Sequence, residues 1–244
     1  MNENTFEIIQ KGNVIIRCND SSTHILDSNN KIIEEVWSEE CKNKHGLFND
    51  DVLSFIDVKK ENTDIIVNAK FTEYKNILAS RKKPELGLSI RQIGVSGITL
   101  VEENQKKFIL FSTRSHDITE YPEYIELVPS GNIDKSVLQT DGTVDCIAKL
   151  KGEFSEETGL SIEYIKKIKS ICLVYDKNNQ IFDVGCLIEL NMDRNTILES
   201  FTKVNEYKNP ELIPIRDLPN FINKNKERLV PTSLALLECF LGKN

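Results

Sequence analysis

The stretch GEFSEETGL, residues 152–160, sets Glu153, Glu156 and Glu157 at spacings of three and four. On an α-helix those spacings bring side chains onto one face, so three carboxylates become neighbours. Like charges so placed repel one another, and the group is either a solvated helix face or the binding place of a cation. Oxygen-only donors favour a hard ion, Mg²⁺ or Mn²⁺, over zinc. On periodicity alone the solvated face is the commoner outcome.

The elements around the triad give it a frame. A helix is expected from about Thr143, taken as its N-cap, with Val144, Ile147, Leu150 and Phe154 forming an apolar stripe and Gly159 a stop. Ahead of it, IRQIGVSGITLVEE and KKFILFSTRS are β-branched apolar runs on either side of the polar turn Glu102 to Lys107, and read as two neighbouring strands. Glu126 to Pro129 forms a short extended piece that enters a Ser-Gly turn and the polar loop Asn132 to Gly142. Behind it, Ile168 to Tyr175 and Phe182 to Leu190 read as a strand pair, and Thr232 to Leu241 as a terminal helix. Strands, helix, strands and helix again suit an α+β fold whose mixed sheet lies between helices. Residues 1–86 read as a small α+β region, with extended pieces at Asn13 to Arg17, Val52 to Val58 and Asp64 to Val67 and helices at Ile32 to Lys42 and Phe71 to Ser80. The division is therefore set at 1–86 and 87–244.

With this sequence around it, the triad resembles the second half of the Nudix hydrolase signature. EFSEETGL follows that half almost position for position, ELVPSGNID (Glu126 to Asp134) is similar to the strand and turn that open the signature, and LIPIRDLPNFI (Leu212 to Ile222) is similar to a segment that often follows. The resemblance spans roughly residues 90–240. It implies an α/β/α sandwich with a mixed sheet, and a Mg²⁺-dependent pyrophosphohydrolase that cleaves a nucleoside diphosphate from another moiety. It further implies that Glu153, Glu156 and Glu157 hold the ion and that the Ser130 and Gly131 backbone helps form its pocket. Arg114, at the end of the FILFSTR strand, is the candidate for the substrate's phosphate, or else a structural arginine. Glu206 is the candidate auxiliary base or second-site ligand, against the plainer reading of a surface glutamate.

Three positions depart from the signature. The interval from Gly131 to Glu153 is several residues longer, implying an enlarged loop. The arginine expected before Glu153 is Gly152, which removes a guanidinium partner and costs about 1 kcal/mol of helix propensity relative to alanine. The spaced glutamate of the first half falls on Val144, with Asp145 beside it. The leader adds a narrower likeness, since HGLFNDDVLSF, FTEYKNILASR and LGLSIRQIGVSGITL are similar, in order, to the region preceding the box in UDP-sugar-cleaving members. That subgroup implies UDP-glucose or UDP-galactose as substrate. The alternatives are ADP-ribose or another nucleotide sugar, or a catalytically degenerate module that only binds a nucleotide.

Composition limits the partners. With 38 acidic against 31 basic residues the net charge is −7, which offers nucleic acid no broad basic face. No apolar run is long enough to span a bilayer and the opening residues have no signal-peptide pattern, so a cytoplasmic protein with a small-molecule substrate is expected. The six cysteines form no CxxC pair and read as free thiols. His24, His45 and His116 show no ligand spacing, Tyr121, Tyr124 and Trp37 read as packing residues, and Gly94 and Gly97 do not form a phosphate loop.

Overall fold

The computed structural model describes residues 5–18, 27–43, 47–118, 120–201 and 206–242. In chain order its elements are β1 (Phe6–Lys11), β2 (Asn13–Cys18), α1 (Asp27–Asn43), β3 (Asp51–Glu61), β4 (Asp64–Glu73), α2 (Tyr74–Lys82), β5 (Gln92–Glu103), β6 (Lys106–Arg114), β7 (Ile125–Leu127) and β8 (Ser130–Asn132). They continue with β9 (Thr143–Val144), α3 (Cys146–Thr158), β10 (Ile165–Asp176), β11 (Ile181–Leu190), α4 (Arg194–Ser200), β12 (Tyr207–Pro214), α5 (Leu218–Asn225) and α6 (Pro231–Phe240). The fold is α+β.

All the strands join one mixed sheet, with β1, β10, β11, β5, β3, β4, β2 and β9 in that spatial order and β6, β7, β8 and β12 branching from it. The centre is β5, buried at every position from Gln92 to Val101. A strand covered on both faces needs a mostly apolar run rather than an alternating one, and its sequence supplies one in which only Gln92, Ser96 and Thr99 are polar among the buried positions. β11 runs parallel to β5, while β6 and β8 run antiparallel to it.

Each face of the sheet has its own core. On one, Leu150 and Phe154 of α3 pack with Val95, Val128, Ile133 and Val184. On the other, Leu234, Ala235, Leu236 and Leu237 of α6 pack with Ile98, Leu100, Ile109 and Val174. Helices therefore cover both faces, as the sequence pattern implied.

Residues 1–86 are stitched into the same sheet. β1 pairs with β10, Ser54 of β3 pairs with Gln92 of β5, and Ile16 and Arg17 of β2 pair with Val144 and Thr143 of β9. Residue 86 marks a change in sequence character, not a gap between sheets.

Several element ends differ from the sequence reading. α3 begins at Cys146, and its cap is Asp145, whose carboxylate accepts from the Ala148 N–H at 2.9 Å. Thr143 is unavailable for that role because it pairs with Arg17, and its hydroxyl donates to Asp141 at 2.6 Å. Gly159 closes α3 in the left-handed region, φ 70°, as expected. Phe71 to Glu73 stay in β4, paired with Leu53 to Asp51, so α2 starts at Tyr74. The enlarged loop holds β8, a 3-10 turn at Lys135–Val137 and β9. β1, α4 and β12 carried no strong periodic signal and were not anticipated.

Among the described residues, no helix is long and apolar enough to cross a membrane. Cys41, Cys146, Cys172, Cys186 and Cys239 are free thiols, and Cys146, Cys172 and Cys186 are buried. His24 and His45 lie outside the described residues, and His116 is an exposed residue paired with Asp117.

Candidate active site

One cleft of about 600 Å³ gathers nearly every residue singled out above. Arg114, Ser130, Gly131, Glu153, Glu156 and Glu206 line it. That volume is within the usual range for a small-molecule site.

Glu157 is placed differently from the other two glutamates. It is 2% exposed and stands behind the cleft wall, where its Oε2 accepts from the Ser130 N–H at 3.0 Å. Burial raises its pKa well above the ordinary carboxylate value, with further contributions from the charges of Glu206 and Glu126. Glu156 is exposed at the cleft edge and Glu153 is half-buried. The three side chains thus share a helix face but not one environment.

Glu153 lies directly against the Gly131 backbone. A methyl group built at residue 131 would come within 2.4 Å of the Glu153 carboxyl, so any larger residue there would push the Glu153 side chain from its place. Lys149, one helical turn earlier, bridges Glu153 at 2.9 Å and Asp134 at 2.7 Å. The guanidinium missing at Gly152 is therefore replaced by an ammonium from the same helix. Desolvation opposes the Lys149 charge, but its two carboxylate partners outweigh it and its pKa is raised. Burial raises the Glu153 pKa, and Lys149 counters part of that rise. Gly152 itself faces open space.

Arg114 is already engaged. It pairs with Glu126, a buried carboxylate, and its Nε donates to the Glu120 carbonyl at 3.1 Å. Burial works against its charge, yet Glu126 keeps its pKa raised. Tyr207, also buried, donates to Glu126 at 2.7 Å and lies 3.2 Å from the Ser130 hydroxyl. Glu206, next to it, is exposed overall; desolvation of its carboxyl group raises its pKa while Arg114 opposes the rise.

Glu126, Lys149 and Tyr207 were not selected from sequence. Glu126 was legible only as the first residue of the extended piece before the Ser-Gly turn, and nothing local shows that this piece runs beside Tyr207. Tyr121, read as a packing residue, lines the cleft and donates to Asp176 at 2.7 Å.

The site's donors are oxygens, and its carboxylates outnumber the nearby cations Arg114 and Lys149. Such a donor set fits a hard divalent ion. Among the described residues no three acidic, histidine or cysteine side chains already converge as ligands, so Glu153 would have to exchange Lys149 for the ion.

No protein-family model matches the sequence. No curated protein matches it either. Solved structures do resemble the fold. The Nudix domain of Shewanella oneidensis NrtR, complexed with ADP ribose, is 15% identical at a TM-score of 0.45, covering 62% of this chain and 87% of that one. Tm1382, named as a candidate Nudix hydrolase, is 14% identical at a TM-score of 0.45, over 84% of this chain and 95% of its own. A C. elegans Ap4A hydrolase is 15% identical at a TM-score of 0.40, over 62% and 95%. Solved structures similar to this chain thus include Nudix proteins.

Proposed function

We propose that this chain is a Nudix-type hydrolase that cleaves the phosphoric anhydride of a nucleoside diphosphate compound with the help of Mg²⁺. The observation that carries the reading is the seat of Glu157, a buried carboxylate held by the Ser130 N–H and grouped with Glu126, Glu153 and Glu206 at one end of a ligand-sized cleft. Concentrated buried negative charge is costly without a cation. A bound Mg²⁺ would supply charge neutralisation and Lewis acidity at the diphosphate oxygens.

In this reading Glu153, Glu156 and Glu157 hold the ion, and the Ser130 and Gly131 backbone fixes where Glu157 and Glu153 stand. Arg114 orients Glu126 and borders the diphosphate. Glu206, exposed at the cleft, takes a proton from the attacking water. The exposed Phe48 and the half-buried Tyr121 stand on the cleft wall and suit contact with a base or sugar. UDP-glucose and UDP-galactose are the favoured substrates within the class, and ADP-ribose is the next. The net charge of −7 favours a small molecule over nucleic acid, and the free thiols Cys41, Cys146, Cys172, Cys186 and Cys239 suit a reducing compartment such as the cytoplasm.

A screen of UDP-sugars, ADP-ribose, dinucleoside polyphosphates and NADH, with products identified with and without Mg²⁺, tests the reading. UMP and sugar 1-phosphate from a UDP-sugar would support the narrower assignment. ADP-ribose cleavage with inert UDP-sugars would leave only the broader one standing, and the absence of Mg²⁺-dependent turnover on every compound would overturn both.

One observation favours a second reading, a nucleotide-binding module without turnover. Lys149 already neutralises Glu153, which in a degenerate site would make the ion unnecessary. Nucleotide binding that is indifferent to Mg²⁺, with no products, would select it.

A further inference from the structure

The glutamate cluster occupies only one end of the cleft. Beside that cluster the cleft is lined by two glycines on neighbouring strands, Gly131 of β8, against which the Glu153 carboxyl lies, and Gly94 of β5. A methyl group at residue 94 would sit 3.2 Å from the Gly131 carbonyl oxygen and 3.6 Å from Oδ1 of Asp183. Glu153 thus covers Gly131, whereas Gly94 leaves its backbone bare beside Asp183.

Asp183 is not absorbed by the hydrolytic machinery. It lies on β11, is 4% exposed and lines the cleft. Its Oδ2 accepts from the Ser96 hydroxyl at 2.5 Å, whereas Oδ1 is buried with no hydrogen-bond partner among the described residues. An unsatisfied buried carboxylate oxygen is costly, and such atoms in folded proteins call for an explanation. Among the described residues no arginine or lysine is paired with it. Its pKa is raised to about 7, by burial first, with Ser96 and Thr232 opposing and Glu126 and Asp176 adding to the rise.

We propose that Asp183 is a specificity-determining residue, whose Oδ1 accepts a hydrogen bond from a hydroxyl or N–H group on the part of the substrate beyond the diphosphate, laid over the Gly94 backbone. The proposal rests on the hydrolase reading only for the placement of the diphosphate at the glutamate end. The surroundings set the ligand's chemistry. Asp176 also lines the cleft and adds its negative charge to that around Asp183, whereas Glu120 is paired with Arg81, so an additional phosphate is disfavoured beside Asp183 and an uncharged donor-bearing group is favoured. Glycine at residue 94 lets a flat ring or a sugar approach the backbone, and an added methyl there would stand between ligand and Oδ1. The donor comes from either the sugar or the base, and those two sources are separable.

The test measures binding of UDP-glucose, ADP-ribose, UDP and inorganic pyrophosphate to the full chain by calorimetry in Mg²⁺, with KM and kcat wherever turnover occurs. Asp183→Asn keeps the side chain's shape and replaces one acceptor oxygen by a donor. It should weaken UDP-glucose or ADP-ribose binding about tenfold, the loss of one hydrogen bond to a charged group, and raise KM with much less change in kcat. Pyrophosphate affinity should stay the same. Weakened UDP as well as UDP-glucose assigns the donor to the base; unchanged UDP with weakened UDP-glucose assigns it to the sugar. Gly94→Ala leaves Asp183 in place and should weaken the same ligands, so the test survives if Asp183→Asn does not fold. Binding that shifts without any turnover supports the subsite while sinking the hydrolase reading. Unchanged nucleotide-sugar affinity in both variants, an equal loss for pyrophosphate, or no binding of either nucleotide sugar to the unaltered chain overturns the proposal.

Discussion

The backbone N–H of Ser130 donates to Oε2 of Glu157 across 3.0 Å, tying the first residue of β8 to the last turn of α3. A carboxylate fixed by the main chain, deep behind the cleft wall, cannot adjust by rotating into solvent. Its effects on stability and on activity therefore separate.

Glu157→Gln should reduce kcat by about a hundredfold or more while leaving the protein folded. The amide keeps the shape and an acceptor for the Ser130 N–H but removes a charge that burial penalises. Kinetics beside a thermal melt check this; activity within a few fold of the unaltered protein would remove Glu157 from the site.

Mg²⁺ should stabilise the protein more at pH 8 than at pH 5. The folded-state pKa of Glu157 is raised, so the stability contributed by its protonated form is present below the ordinary carboxylate pKa and is lost as pH rises through the raised value. The ion favours the deprotonated form and restores what is lost. At about 100 times its dissociation constant it would add about 2.7 kcal/mol. Melting temperatures across pH, with and without MgCl₂, read the effect, and an equal or larger shift at pH 5 would contradict it.

Gly131→Ala should cost about a hundredfold in turnover, because the new methyl overlaps the Glu153 carboxyl and forces it off its position. Near-normal kcat in a folded variant would show that the position of Glu153 is unimportant.

Gly152→Ala should stabilise the protein by about 1 kcal/mol. Residue 152 lies within α3, its Cβ direction is open, and no contact is displaced. Urea unfolding measures the gain. Activity should follow Lys149, which already serves Glu153, and not residue 152.

The sequence was most informative where one local period governs the structure. The spacing of Glu153, Glu156 and Glu157 located α3, and the mostly apolar, β-branched run from Ile93 to Val101 located the central strand. It was least informative where partners come from distant segments. Glu126 acquires its meaning from Tyr207 and Arg114, and Asp183 from Ser96 and Gly94, contacts that no spacing encodes. Thr143 looked like a cap because Ser and Thr commonly are; β2, far away in sequence, had a prior claim on its backbone. The helical reading of Phe71 to Glu73 failed for a related reason, since pairing with β3 overrode local preference.

The short ladder between β2 and β9 ends one residue before the cap of α3. The residues that lengthen the loop between Gly131 and Glu153 therefore act as a clasp, through which the opening segment of the polypeptide sets where the glutamate helix begins. A shortened protein starting at residue 87 would forfeit that anchorage and bare the flank of the sheet that β3 protects. Trimming it to residues 87–244 would yield a damaged protein instead of a minimal one.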